Sequence, residues 1–96
     1  MARVELSAIA VEDLERLIVT HSLPSNTRPR LKRSLRVLEE FPLIGRELGG
    51  RWKGARFVLG PWRWLLVVYR YERSEDRVLV LTLQDARSSA AATAAS

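Results

Sequence analysis

The chain contains no cysteine and a single histidine, His21. Without thiols there is no disulfide framework, no thiolate metal site and no cysteine nucleophile. One imidazole also leaves no histidine-based metal cluster. Long apolar runs are missing as well. The longest, Trp64 to Val68, is far shorter than the roughly 20 residues that cross a bilayer as a helix. The segment from Met1 to Leu6 lacks the apolar core of a signal peptide, so a cytoplasmic protein is expected. Acidic residues are scarce in the middle of the chain. Positions 28–63 hold ten Lys/Arg against three Glu, although the net charge of the whole is only +5. A basic middle suits a surface that meets phosphate or an acidic protein, and it equally suits well-solvated arginine-rich helices.

What is present is enough for one domain. Apolar residues make up 47% of the 96, which supports a packed core and excludes disorder for most of the chain. Val4-Glu5-Leu6 alternates like a short strand. Ser7 is placed to cap a helix in which Ala10, Leu14, Leu17, Ile18 and His21 recur at helical spacing. Ser25 or Asn26 can cap a second helix, with Pro29 tolerated in its first turn. Leu31, Leu35 and Leu38 form its buried stripe, and Phe41-Pro42 ends it.

A glycine-broken loop over 43–53 leads to a strand at 55–59, a tight turn at Gly60-Pro61 and a long strand over 62–71. The long strand carries Trp62, Trp64, Leu66 and Val68 on one face and Arg63, Leu65, Val67, Tyr69 and Tyr71 on the other. Apolar residues on both faces predict a central position. A last strand runs over 77–83. The expectation is therefore an α+β domain of order β-α-α-β-β-β over residues 1–87, an antiparallel sheet packed against an α-hairpin, with the first strand at an edge. Residues 88–96 are almost wholly Ala, Ser and Thr, and a frayed tail without an apolar anchor is expected there.

Guanidinium groups are the main chemical tools left. Arginine stays protonated, so it is a poor base, but it grips phosphate bidentately and stabilises charge developing on it. Any catalysis should then be metal-free phosphate chemistry on RNA or DNA, with no cofactor. Arg56, Arg63 and Arg87 lie on or beside strands and are the candidate catalytic residues. Arg56 and Arg63 are expected to be neighbours across the hairpin, where like charges repel unless an anion sits between them. Trp52 in the loop can stack on a nucleobase, flanked by Arg51 and Lys53, and these three are the candidate RNA-binding residues. Trp64, Tyr69 and Tyr71 read as structural, and His21 as a half-buried packing residue.

Four segments carry a family resemblance. They are Val4-Glu5-Leu6-Ser7 before the first helix, the stretch from Leu38 to Arg46 with its Pro42-x-x-Gly45 element, the stretch from Arg56 to Tyr69, and the ending from Val80 to Arg87. Together they span residues 3 to 87 and resemble the RelE/ParE toxins of type II toxin–antitoxin pairs. The resemblance implies a toxin held by an acidic antitoxin, monomeric when alone and without a membrane partner. The RelE branch cleaves messenger RNA on the ribosome with basic residues of the sheet, whereas the ParE branch inhibits DNA gyrase without a nuclease centre. Arg56, Arg63 and Arg87 match basic positions of the RNA-cleaving branch. Val58 stands where that branch can carry a second lysine, and the C-terminal tyrosine common there is missing. A ribosome-dependent mRNA endonuclease, a gyrase inhibitor and a non-toxic binding module on the same fold are the three functions implied.

Overall fold

The computed structural model describes residues 1–88 and 90–93. Two layers make the fold, with helices on one side of a five-stranded sheet. The elements in chain order are β1 (Arg3–Leu6), α1 (Ala8–Thr20), α2 (Thr27–Ser34), α3 (Val37–Glu40), β2 (Arg46–Glu47), β3 (Arg56–Leu59), β4 (Leu65–Glu72) and β5 (Arg77–Asp85). The sheet order is β1-β5-β4-β3-β2. β4 and β5 are thus central, as the apolar residues on both faces of β4 require.

Ser7 sets the start of α1. Its hydroxyl accepts a hydrogen bond from the backbone N–H of Ala10 at 3.1 Å and donates to the carbonyl of Leu81 at 2.9 Å. One side chain thereby caps the helix and ties its first turn to the sheet. Asn26 precedes α2 but makes no side-chain cap. Thr27 donates instead to the Pro24 carbonyl at 2.6 Å, closing the turn between the helices. The second helix is broken at Leu35 and Arg36, so α2 and α3 take the place of one continuous helix.

Leu14, Leu17, Leu31, Leu35 and Leu38 pack with Leu65, Val67, Tyr69, Val78, Val80 and Leu83 between the helices and the sheet. A fully buried leucine such as Leu31 or Leu38 contributes about 2 kcal/mol through the apolar surface it removes from water. On the other face Leu48, Ala55, Leu66 and Val68 form a smaller cluster with Ala91 and Ala92. Ala92 donates its N–H to Gln84 Oε1 at 2.7 Å. The short side chains at 91 and 92 therefore provide the anchor that composition alone does not reveal. Residues 89 and 94–96 of the expected tail lie outside the described residues.

Three features depart from the expected layout. β1 pairs with β5 in parallel, Arg3 opposite Arg77 through Leu6 opposite Val80, so the sheet is mixed rather than antiparallel. β2, β3, β4 and β5 alternate in direction, so β2 runs opposite to β1 and β5 comes back to the direction of β1. A two-residue strand, β2, arises inside the expected loop and pairs with Arg56 and Phe57. β4 begins at Leu65, because residues 60–64 form a wider turn in which Gly60 N–H donates to Leu65 O at 2.9 Å and Leu65 N–H to Trp62 O at 3.0 Å. That turn breaks the strand alternation. Trp62 and Trp64 join the helix-side core with Leu65 and Val67, not the face of Leu66 and Val68.

Gly45 is required by close approach. Its N–H donates to the buried Tyr69 hydroxyl at 2.8 Å. A Cβ built there would lie 2.5 Å from that hydroxyl oxygen and 2.7 Å from the Phe57 carbonyl oxygen. Gly45→Ala is expected to cost about 2 kcal/mol by overpacking, read as a lower urea midpoint with an unchanged slope. Burial pushes the Tyr69 phenol above its ordinary value, opposed by the Gly45 N–H and the charge of Arg56. Tyr69 is thus a structural tyrosine.

Candidate functional site

The functional side chains gather where β4 begins and β5 ends. Leu65 lies opposite Asp85, and the Ala86 N–H donates to the Trp64 carbonyl at 2.7 Å. Arg63 precedes Trp64 in the turn before β4 and Arg87 follows Ala86 in the turn after β5, so both belong to this end of the sheet. Arg63 is exposed and makes no ion pair with a described residue. Arg87 is held in a fork. Its Nε and Nη2 donate to Asp85 Oδ1 and Oδ2 at 2.9 and 2.8 Å, and its backbone N–H donates to Oδ1 at 2.9 Å. The guanidinium also lies over Trp64, 5.4 Å from the ring centroid.

Aromatic rings form the floor of this corner. Trp62 and Trp64 stack at 5.8 Å, and the ring of His21 lies nearly parallel to Trp64 at 4.4 Å. Arg30 of α2 covers Trp62 at 4.8 Å. His21 Nε2 is 3.2 Å from Asp85 Oδ2. The side-chain and backbone hydrogen bonds from Arg87 hold the Asp85 carboxyl well below the usual carboxylate range; partial burial opposes them and His21 adds to them. A carboxyl whose folded pKa is depressed contributes stability above its unfolded value, and that contribution is lost as pH falls through the folded value. Asp85→Asn is therefore expected to lower the melting temperature near neutrality and to converge with the wild type below about pH 4, flattening the acid limb, as read by melting curves across that range.

The three arginines singled out from sequence do not converge. Arg63 and Arg87 share the sheet end, whereas Arg56 lies opposite Tyr69, four residues further along β4 from Leu65. At about 3.3 Å per residue the separation along the strand is roughly 13 Å. The expected pairing of Arg56 with Arg63 across the hairpin is absent, since Leu59 and not Arg56 is the β3 residue next to the turn. Arg56 is occupied elsewhere, donating to the carbonyls of Leu43 and Gly45 at 3.2 and 2.8 Å and to Glu47 at 3.1 Å. In that position it pins the 43–47 segment to the sheet.

Arg51 and Trp52 lie in a 3-10 turn (Gly50–Trp52) on the face away from the helices, and Lys53 follows it. Trp52 packs against the cluster of Leu48, Ala55 and Leu66, with Arg51 over its ring at 5.9 Å. Arg51 and Lys53 are exposed. This trio stands apart from the aromatic corner. His21, Asp85 and Arg30 are the members that sequence reasoning left out. The spacing of Asp85 two residues before Arg87 on a strand end was the available signal, because it lets a carboxylate fold back on the guanidinium.

No protein-family model matches the chain, and no curated protein matches it in sequence. Solved structures do match in fold. A chain of the RelBE2 toxin–antitoxin complex from Mycobacterium tuberculosis aligns with a TM-score of 0.67 at 20% identity, covering 88% of this chain and 96% of that one. The intact Escherichia coli RelBE complex gives 0.67 at 18% identity, over 92% and 100% of the two chains. The isolated Escherichia coli RelE toxin gives 0.66 at 18%, over 94% and 89%. The α+β architecture is the RelE fold, and it spans nearly the whole chain. Among the described residues no helix is long and apolar enough to cross a membrane.

Proposed function

We propose that this chain is the toxin of a type II toxin–antitoxin pair and acts in the cytoplasm as a ribosome-dependent mRNA endonuclease. The observation that carries the reading is the sheet-end corner on a RelE-type fold, where Arg87 lies over Trp64, Trp64 stacks on Trp62, and the exposed Arg63 stands between those two tryptophans in the chain. Arginines can hold the scissile phosphate and the charge that grows on it, while the adjoining aromatic surface suits a base. Arg51, Trp52 and Lys53 would guide the strand on the other face.

An acidic antitoxin suits both the charge and the shape. Of the sixteen Lys/Arg, Arg3, Arg16, Arg28, Arg56, Arg77 and Arg87 are in ion pairs, and the other ten, all between Arg30 and Arg73, have none among the described residues. β1 offers an open edge. Arg3 and Ser7 donate toward β5, so the backbone groups of Val4 and Leu6 point away from the sheet. Beside that edge runs an apolar cavity of about 420 Å³ lined by Val4, Leu6, Val11, Leu14, Leu31 and Leu35, together with Lys32, Glu39 and the ion pair of Arg28 with Glu15. An extended antitoxin segment with alternating apolar and acidic residues would add to the edge and fill the groove.

The second reading, a non-enzymatic inhibitor of DNA gyrase, is favoured by the engagement of Arg56 with backbone carbonyls, which leaves two arginines where three were expected. Induced expression separates the two. Primer extension showing cuts in translated messages supports the endonuclease. Growth arrest with intact messages and accumulated gyrase cleavage complexes overturns it in favour of the second.

A further inference from the structure

His21 is the member of the sheet-end corner that an arginine-only site leaves without a task. It follows the last residue of α1, with its ring flat on Trp64 at 4.4 Å and an interplanar angle of 6°. Its Nε2 faces Asp85 Oδ2 at 3.2 Å, and its Nδ1 faces Thr20 Oγ1 at 3.0 Å. The side chain keeps 25% of its surface exposed, so the site is open to solvent and ligand.

Asp85 is the shared element. It accepts from the Arg87 backbone N–H, Nε and Nη2, and its Oδ2 also meets His21. A guanidinium–carboxylate fork is neutral as a pair, so on its own it offers a phosphate little net attraction. Of the five N–H donors of Arg87, the fork occupies two and leaves three. A charged imidazole on the same carboxylate gives the trio a net positive charge while leaving those three donors in place. The guanidinium can then be both held rigidly and attractive to an anion.

We propose that His21 is a working member of a phosphate-binding site with Arg87 and Arg63, sharing Asp85 with Arg87 so that the charge of the guanidinium stays available to an RNA phosphate. The inference rests on the RNA reading above and adds a positioning residue to it. The charged groups around His21 are few. β5 and the turn after it bring Asp85 and Arg87, and the turn before β4 brings the exposed Arg63. α1 brings Asp13 and Arg16 to the cavity that Asp85 also lines, and these two pair with each other at 2.7 Å. α2 brings Arg30, which covers Trp62 in the same stack of rings. Imidazole is the group in this set whose charge changes in the physiological range. RNA affinity should therefore strengthen as pH falls, and bound RNA should in return favour the charged ring.

The test is a titration of the full chain with a short labelled single-stranded RNA at fixed salt, near pH 6 and near pH 8. The wild-type protein is expected to bind about tenfold tighter at the lower pH, the size of effect that one extra positive charge near a phosphate exerts in a partly solvated site. His21→Gln, folded by its melting curve, should bind equally at both. Arg87→Ala should bind weakly with little pH dependence. Should His21→Gln fail to fold, the ring-proton resonance of His21 in the wild-type protein gives the same information, since its titration midpoint should move to higher pH when RNA is added. Equal pH dependence in wild type and His21→Gln, or a midpoint indifferent to RNA, overturns the role of His21 and leaves the RNA reading standing. No RNA binding at either pH overturns both.

Discussion

Arg87→Ala is expected to lower the rate of message cleavage by about a hundred- to a thousandfold, the usual consequence of losing one preorganised donor to developing negative charge. The fold should survive, because the side chain of Arg87 is 65% exposed and its main partner, Asp85, remains partly open to water. Primer extension on a translated message, with colony counts after induction, reads the effect. Arg56→Ala is the informative companion. Arg56 spends its hydrogen bonds on Leu43, Gly45 and Glu47, so its loss should appear first as a lower melting temperature. Cleavage undiminished in Arg87→Ala would count against the arginine corner as the catalytic centre. Loss of cleavage in Arg56→Ala with an unchanged melting curve would move that centre to the other end of β3.

The second large effect is structural. Asp13→Ala is expected to destabilise the protein by about 3 kcal/mol, because two buried donors would lose their acceptor at once. Asp13 is buried on α1, and its Oδ2 accepts from the Thr82 hydroxyl and from the Leu83 N–H. β1 covers β5 only as far as Val80, so the Leu83 N–H lies beyond the reach of the neighbouring strand. The carboxylate takes over where the strand stops. Urea unfolding of Asp13→Ala and Asp13→Asn measures this, with Asn expected to recover part of the loss by accepting one of the two bonds. A change below about 0.5 kcal/mol in the alanine variant would mean that water or a shifted backbone replaces the acceptor.

The parts of the fold legible in the sequence were those written locally. Ser7 before an apolar-periodic segment identifies the start of α1, and the two apolar faces of β4 place that strand in the middle of the sheet. The parts that were not legible depend on pairing over long distances. Nothing in Val4-Glu5-Leu6 says that its partner is Val78 to Val80 or that the two run parallel. Register explains why Arg56 and Arg63 separate, since the wide turn at 60–64 moves Arg63 off the strand and β3 starts, rather than ends, with Arg56. His21 read as packing because it closes the apolar spacing of α1, and its stacking on Trp64 is not written in the local sequence. Its carboxylate partner is 64 residues away and invisible to such reasoning.

β5 carries one residue more than β4 needs. Val68 pairs with Thr82 and Tyr69 with Val80, which leaves Leu81 as an extra residue in the ladder. Before it Val78 and Val80 face the helices; after it Leu83 does, and Asp85 reaches His21 on α1. That bulge is why Val80 and Leu83, three residues apart, face the same way although strand direction alternates with each residue. Removing position 81 would regularise the ladder and leave the pairings of Leu83 and Asp85 in place, at the loss of the Leu81 carbonyl that accepts the Ser7 hydroxyl. The chemistry of the corner is nevertheless held by a length as well as by an alphabet. A one-residue insertion after Leu83, with no second bulge to absorb it, would turn Asp85 away from the aromatic corner without touching any residue of it.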